Sequence, residues 1–265
     1  FDGRGHTISG IYMKTDIKGT GFFAKVTPTT VLKNFKLKNS YIESTRTSAS
    51  QTGSVVGVAQ GRIDTVYSDA IVVGNNYVIG GIIGDITSKE KGVVSNCWYD
   101  GTMKIGDKGG YIGGIAGHAE DGTNVTIQYC LNSGDIIGTL AKGDISMGGI
   151  IGVLADKNTE VTIRNSLNVG LIDAPCKAGM GSIFSYKLDD TAIILENCYA
   201  TKESCARGYQ GGKGSLEGRV YRKNAADITG YLAYELTFLD FAKYWAVVES
   251  STPILKSFAT KVPSL

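Results

Sequence analysis

Proline, histidine and long hydrophobic runs are scarce in this chain of 265 residues. It has only 4 prolines and 2 histidines, and no apolar run approaches the roughly 18 residues of a membrane span. The 5 cysteines form no CxxC pair, so a zinc site is not expected, and neither is any other metal or cofactor. The net charge is only +2, without a basic stripe, so nucleic-acid binding has no electrostatic support.

An initiator methionine and a signal peptide are also lacking, since the chain begins at Phe1. We therefore expect a piece of a longer or processed protein. Glycine, in contrast, is abundant, with 36 residues, which is nearly double the usual share. Because 42% of the residues are hydrophobic, this composition indicates many short strands joined by tight turns and not disorder.

One four-residue motif recurs along the chain. It reads LKNF, IDTV, VSNC, IQYC, IRNS and LENC, with steps of 31, 31, 33, 36 and 32 residues between the last positions. Those last positions form the column Phe35, Val66, Cys97, Cys130, Ser166 and Cys198. Internal repeats of this length predict a repeat architecture.

A second motif runs in phase with the first. It reads GFFA, SVVG, GIIG, GIAG, GIIG and SIFS, and it ends at Ala24, Gly57, Gly84, Gly117, Gly152 and Ser185. Helical repeats do not fit, because glycine lies inside each unit and long 3.6-residue stripes are missing. Three short strands and three turns fill about 30 residues, which is one coil of a parallel β-helix.

The predicted fold class is therefore all-β, a right-handed parallel β-helix of about seven coils, on the order of 35 Å long. Like residues would stack on like in a narrow core. Glycine would permit the corners, and Asn96, Asn165 and Asn197 would stack at turns and satisfy backbone groups there.

Several segments resemble bacterial surface proteins with GLUG-type repeats. They are FDGRGHTISGI at residues 1–11, the GGIIG and GGIAG runs, and the series NCWYDG, YCLNSG, NSLNVG and NCYAT. The resemblance covers roughly residues 1–200 and implies an extracellular bacterial solenoid, secreted or on the cell surface. Such repeats usually lie outside any catalytic domain, so the resemblance implies no catalytic residues.

The domain boundaries follow from where the repeat ends. Residues 1–205 are predicted as the β-helix, 206–258 as the last coil and a C-terminal cap with a short helix around residues 228–239, and 259–265 as a linker. A solenoid end exposes strand edges and an open core, which a cap must cover. The candidates for this cap are Tyr231, Tyr234, Leu236, Phe238, Phe241, Trp245 and Leu255.

The cysteines are interpreted mainly as structural. Cys97, Cys130 and Cys198 share the interior column and are expected to be small buried residues. Cys176 and Cys205 lie ten and seven residues beyond their column members, in adjacent coils, so a disulfide between them is a hypothesis. A catalytic Cys–His pair is not expected, because neither histidine follows the cysteine column.

Aromatic and acidic residues follow the same column in two neighbouring coils. Tyr67 and Trp98 lie one residue past it, with Tyr199 three coils later, and Asp69 and Asp100 lie three residues past it. If these side chains point outward, they form a ligand-binding patch suited to a sugar. If the nearby turn shifts the alternation, Tyr67 and Trp98 belong to the core. The two aspartates are also the weak candidates for catalysis, since paired carboxylates can serve glycoside hydrolysis.

The sequence thus favours a structural or adhesive module that presents a rigid solenoid to a glycan or a protein. Expected partners are a host or cell-wall glycan, a surface protein, or other domains of the parent chain. A carbohydrate-active enzyme, either a glycoside hydrolase or a lyase, is the alternative by fold analogy. A passive spacer beside a catalytic domain is another alternative.

Overall fold

The computed structural model describes residues 1–75, 77–106, 109–138, 145–154, 158–174, 179–187, 192–205 and 220–259. Short parallel strands stack coil upon coil along one axis, so the predicted parallel β-helix is confirmed. No helix in the described ranges is long and apolar enough to cross a membrane.

Twelve strands build the first coils: β1 (Asp2–Ser9), β2 (Tyr12–Thr15), β3 (Gly19–Thr20), β4 (Phe23–Val26), β5 (Val31–Lys38), β6 (Tyr41–Ser44), β7 (Ser50–Gly53), β8 (Val56–Ala59), β9 (Arg62–Ser68), β10 (Ile71–Gly74), β11 (Tyr77–Gly80) and β12 (Ile83–Ile86). The following coils contain β13 (Gly92–Ser95), β14 (Trp98–Tyr99), β15 (Thr102–Ile105), β16 (Gly110–Gly113), β17 (Ala116–Ala119), β18 (Asn124–Gln128), β19 (Leu131–Asn132), β20 (Asp135–Gly138), β21 (Ile145–Gly148), β22 (Ile151–Leu154), β23 (Glu160–Arg164), β24 (Leu167–Asn168), β25 (Ile172–Asp173), β26 (Gly179–Gly181), β27 (Phe184–Lys187), β28 (Ala192–Glu196) and β29 (Cys198–Thr201). The C-terminal part adds β30 (Val220–Lys223), β31 (Trp245–Val248), β32 (Ser251–Leu255) and 3₁₀ helices at Ala225–Ile228, Gly230–Glu235 and Lys256–Phe258.

These strands form four parallel sheets that we name by letter. Sheet A contains β1, β5, β9, β13, β14, β18, β19, β23, β24, β28, β29 and β30. Sheet B contains β2, β6, β10, β15, β20 and β25; sheet C contains β3, β7, β11, β16, β21 and β26; sheet D contains β4, β8, β12, β17, β22 and β27. Within the described residues, sheets B, C and D have six strands each, which makes about six coils, whereas the sequence predicts about seven.

The core repeats from coil to coil, as like-on-like stacking predicts. Ile63 of β9 lies in register with Val94, which lies in register with Ile127. All three side chains are fully or almost fully buried. A column of this kind buries apolar area continuously along the axis, so each coil depends on its neighbours for stability.

One turn in sheet A recurs in left-handed backbone conformation. Asn96, Asn165 and Asn197 have φ of 53°, 49° and 53°, a region that asparagine tolerates better than other side chains. Asn197 Nδ2 donates to Asn165 Oδ1 at 3.2 Å, so the predicted stacking of asparagines holds for this pair. Asn96 Nδ2 instead donates to Asp64 Oδ1 at 3.0 Å.

Close approach between backbones explains Gly80 and Gly113, the glycines that directly precede the second motif at the ends of β11 and β16. A Cβ on Gly80 or Gly113 would overlap the carbonyl oxygen of the residue three positions later, Ile83 or Ala116. Neither glycine has a positive φ. Glycine is therefore required at these two positions because there is no space for a side chain, and not because the backbone is left-handed.

Asp64 links two coils, and its contacts predict that the stability of the protein falls in acid. Its carboxylate accepts hydrogen bonds from Ser95 Oγ at 2.8 Å and from Asn96 Nδ2. Burial raises the pKa of Asp64. The two hydrogen bonds and the charge of Arg62 together lower it by more than burial raises it, so the pKa lies below the ordinary 3.8. Its stabilising contribution is therefore complete above the pKa of the unfolded chain and is lost as the pH falls through the lower folded value.

We expect Asp64→Asn to reduce the free energy of unfolding by about 1 kcal/mol at pH 7, because charged acceptors form the stronger hydrogen bonds. The difference from the unmodified protein should shrink as the pH falls below 3.8. Urea unfolding followed by circular dichroism at pH 7, 5, 4 and about 3 measures both quantities. If the difference in free energy of unfolding between the two proteins stayed constant with pH, the ionised Asp64 carboxylate would not be the stabilising group.

The C-terminal segment packs along the outer face of sheet A. Its antiparallel hairpin, β31–β32, and its 3₁₀ helices form a second apolar cluster with Tyr67, Leu131, Leu167 and Tyr199, which come from different coils. Of the predicted cap residues, the buried ones are Leu236, Trp245 and Leu255, and the exposed ones are Tyr231, Tyr234 and Phe238. Phe241 is partly buried against the cluster. Residues 225–258 thus form a flanking module on sheet A, which we call the clasp, and coverage of the solenoid end stays a prediction.

Candidate functional site

The predicted aromatic column faces outward from the solenoid. Tyr67 lies in register with Trp98, and the column continues through Leu131 and Leu167 to Tyr199. The clasp covers its first members, because the Phe258 ring centroid lies 5.7 Å from that of Tyr67 and 6.2 Å from that of Trp98. Tyr67 is only 9% exposed. The column therefore points outward and is also buried by packing, whereas the sequence predicted either an outward-facing patch or core residues.

The two predicted aspartates lie beside this column, within hydrogen-bond distance of one phenol. Tyr67 Oη donates to Asp100 Oδ2 at 3.1 Å and to Asp69 Oδ2 at 3.5 Å. Trp98 Nε1 donates to Ser133 Oγ at 2.7 Å, and Ser133 Oγ donates to Asp100 Oδ1 at 2.6 Å. All four predicted residues are thus brought together.

The carboxylates of Asp69 and Asp100 already accept hydrogen bonds from groups of the chain itself. The backbone N–H of Asn39 donates to Asp69 Oδ1 at 2.6 Å. Burial, and then the charges of Asp100 and Asp69, raise the pKa of Tyr67, so the phenol stays a proton donor at neutral pH. These hydrogen bonds connect adjacent coils beneath the clasp. Ligand binding or catalysis by Tyr67, Trp98, Asp69 and Asp100 stays a prediction.

The cysteine column is interior, as predicted. Cys97, Cys130 and Cys198 are fully buried. Burial raises the pKa of Cys198 to about 12, and burial with the neighbouring Cys130 thiol raises the pKa of Cys97 well above its ordinary value. Both thiols therefore stay protonated and are poor nucleophiles. Cys205 is also buried, but Cys176 lies outside the described residues, so the disulfide between them stays a prediction.

A second site lies where sheets C and D meet at their outer faces. The groove there has a volume of about 500 Å³ and extends over the first four coils. Such a volume is typical of small-molecule sites. We call it the C/D groove; it is lined by Ile17, Lys18, Gly19, Ala24, Lys25, Gln51, Val58, Gln60, Asp85, Thr87, Lys89, Glu120 and Asp121.

Asp85, which lines the C/D groove, is paired with the imidazole of His118. Asp85 of β12 is in register with Val58 of β8 on one side and with His118 of β17 on the other. Asp85 Oδ1 lies 3.1 Å from His118 Nδ1, and Asp85 is only 3% exposed. The Tyr111 ring lies against His118, with centroids 5.3 Å apart.

Gln51 of β7 contributes the other buried polar group of the C/D groove. Its side chain is 8% exposed, and its Oε1 atom is buried without a hydrogen-bond partner. An unsatisfied buried polar group of this kind costs about 1–3 kcal/mol and requires an explanation. The backbone fixes its position, since Gln51 N donates to Lys18 O at 2.8 Å.

Sequence reasoning missed the C/D groove, although one signal was present. Asp85 and His118 each directly follow the motif glycines Gly84 and Gly117, which are 33 residues apart. Equal offsets from a repeat column place two residues in the same position of adjacent coils. His118 belongs to strand β17, and its side chain is only 12% exposed.

Comparison with known proteins supports the fold and adds no family. No family model matches the chain, and no curated protein matches it. Among solved structures, the chain is similar to a crystal structure of a putative immunoglobulin A1 protease from Bacteroides ovatus. The TM-score is 0.69 at 20% identity, over 98% of this chain and 77% of that chain. The chain is thus a parallel β-solenoid protein, and likeness at this identity shows the fold alone.

Proposed function

We propose that the chain is a binding module of a secreted or cell-surface bacterial protein, in which the solenoid is a rigid support and the C/D groove holds a glycan or protein ligand. The carrying observation is the groove itself, with buried Asp85 and the unpartnered oxygen of Gln51 among its lining residues. Polar groups converging in a concave site are the usual features of ligand recognition. The resemblance to GLUG-type repeats supports the extracellular setting.

The test is binding by the purified chain to a glycan array and to a panel of surface proteins. Val58 lies on the groove and is partly exposed, so Val58→Trp should fill the site without entering the core. Val93→Trp is the matched control, because Val93 is also a partly exposed strand residue but lies on the outer face of sheet A. We expect at least about a tenfold loss for Val58→Trp alone. Equal binding by both variants would reject the groove as the site.

A carbohydrate-active enzyme is the second candidate, and one observation favours it. Asp69 and Asp100 both lie within hydrogen-bond distance of Tyr67 Oη, so two carboxylates are close together. The same glycans can be assayed for release of smaller sugars. Release that disappears in Asp100→Asn would favour the enzyme. The similar Bacteroides protein is named as a protease, so a spacer beside a catalytic domain is the remaining alternative, favoured if neither binding nor release occurs.

A further inference from the structure

Charge is distributed unevenly along the C/D groove. Lys18 and Lys25 belong to the first coil, whereas Glu120 and Asp121 follow β17 of the fourth coil. Lys25 lies in register with Val58, which lies in register with Asp85, so Lys25 and Asp85 are two coils or about 10 Å apart. The groove is therefore positive at its first-coil end, whereas its third-coil and fourth-coil part carries the cation Lys89 together with the acids Glu120 and Asp121.

The two lysines at the positive end are available to a ligand. Both are exposed, and within the described ranges neither forms an ion pair with a carboxylate. A lysine head group is a mobile point charge that attracts carboxylates and phosphates. At the other end the charge of Lys89 is accompanied by the acids Glu120 and Asp121, so the first-coil end is the more favourable position for an anionic group.

The centre of the groove requires hydrogen-bond donors. An ionised Asp85 can accept hydrogen bonds but cannot donate them, and Gln51 Oε1 is an acceptor without a partner. A rotation of the terminal amide would turn this oxygen toward the groove that Gln51 lines. Hydroxyl groups of a sugar ring can donate to both residues, whereas a simple anion such as phosphate provides no comparable set of donors.

We infer that the C/D groove binds an acidic sugar residue of a glycan, with the carboxylate at Lys18 and Lys25 and the ring hydroxyls donating to Asp85 and Gln51. This inference rests on the proposed function and names its ligand class. Asp85 lies two coils away from Lys25, so a carboxylate bound at the lysines is kept apart from this acid. An acidic sugar therefore fits the groove in the orientation with its carboxylate toward the first coil.

The test is calorimetric titration at low ionic strength with three probes of similar size. They are trigalacturonate, its methyl ester, in which the carboxylates are masked, and the cationic glucosamine trimer. We expect trigalacturonate to bind at least about tenfold more tightly than its ester, which corresponds to about 1.4 kcal/mol. The double variant Lys18→Gln/Lys25→Gln should lose this difference. Lys91→Gln/Lys104→Gln makes the same change in net charge just before β13 and on β15, outside the groove, and should keep it.

Distinct outcomes separate this inference from the proposed function. Equal or tighter binding of the ester or the glucosamine trimer, weakened by Val58→Trp, would overturn the acidic-sugar inference and leave the groove as a binding site. Persistence of the tenfold preference in Lys18→Gln/Lys25→Gln would also overturn it. No binding of any sugar trimer would reject the inference, while the proposed function would fail only if the array and the protein panel also gave no groove-dependent binding.

Discussion

Gly113→Ala is expected to destabilise the solenoid by at least about 3 kcal/mol, which is the upper range for overpacking a core. The added Cβ would overlap the Ala116 carbonyl oxygen and lie 2.6 Å from the Gly152 nitrogen and 2.8 Å from the Ile151 Cα. These are backbone atoms of the same coil and of the next one, so no side chain can rotate away. Relief requires sheets C and D to separate, which breaks the stacking of two coils.

Gly122→Ala is the matched control for this prediction. Gly122 has φ of 74°, and a Cβ there would meet nothing within 4 Å. The same methyl group should therefore cost only about 1 kcal/mol, from the left-handed backbone conformation. Urea unfolding followed by circular dichroism compares the two variants. Losses of stability that agree to within about 0.5 kcal/mol would contradict close packing between sheets C and D.

Trp245→Ala is expected to release the clasp and to leave the solenoid folded. Trp245 is fully buried in the second apolar cluster, and truncating a buried tryptophan costs about 3–5 kcal/mol. The cluster has no other described fully buried aromatic side chain, so the hairpin β31–β32 would lose its main anchor. Far-ultraviolet circular dichroism of the stacked strands should be largely retained.

Fluorescence gives a direct measurement, because the chain has only 2 tryptophans and the variant keeps only Trp98. Release of Phe258 from Trp98 should shift the emission to longer wavelength and increase quenching by iodide. Trp245→Phe is the control: it keeps an aromatic ring and removes an indole N–H that has no hydrogen-bond partner. We expect it to change stability by less than about 1.5 kcal/mol. Identical Trp98 spectra in both variants would contradict the packing of the clasp on this column.

The sequence by itself determined the solenoid, its repeat and its interior. Two motifs in phase identified the coil length, and the residues of the column at Cys97 and Cys130 are buried as that column predicts. Like residues stack on like because neighbouring coils are in register, so the period of the sequence is enough to predict this stacking. The asparagine turn was predictable for the same reason, since Asn165 and Asn197 occupy equal positions in successive coils.

Only the tertiary structure decided what covers the outward faces. Tyr67 points away from the solenoid and is nevertheless buried, because the non-repeating clasp returns along sheet A to pack on it. The C/D groove depends on the angle between two sheets, which brings Gln51 and Asp85 to the same site although no shared column links them. A repeat specifies contacts along the solenoid axis, whereas contacts across sheets and with the clasp depend on backbone bending and on long-range packing.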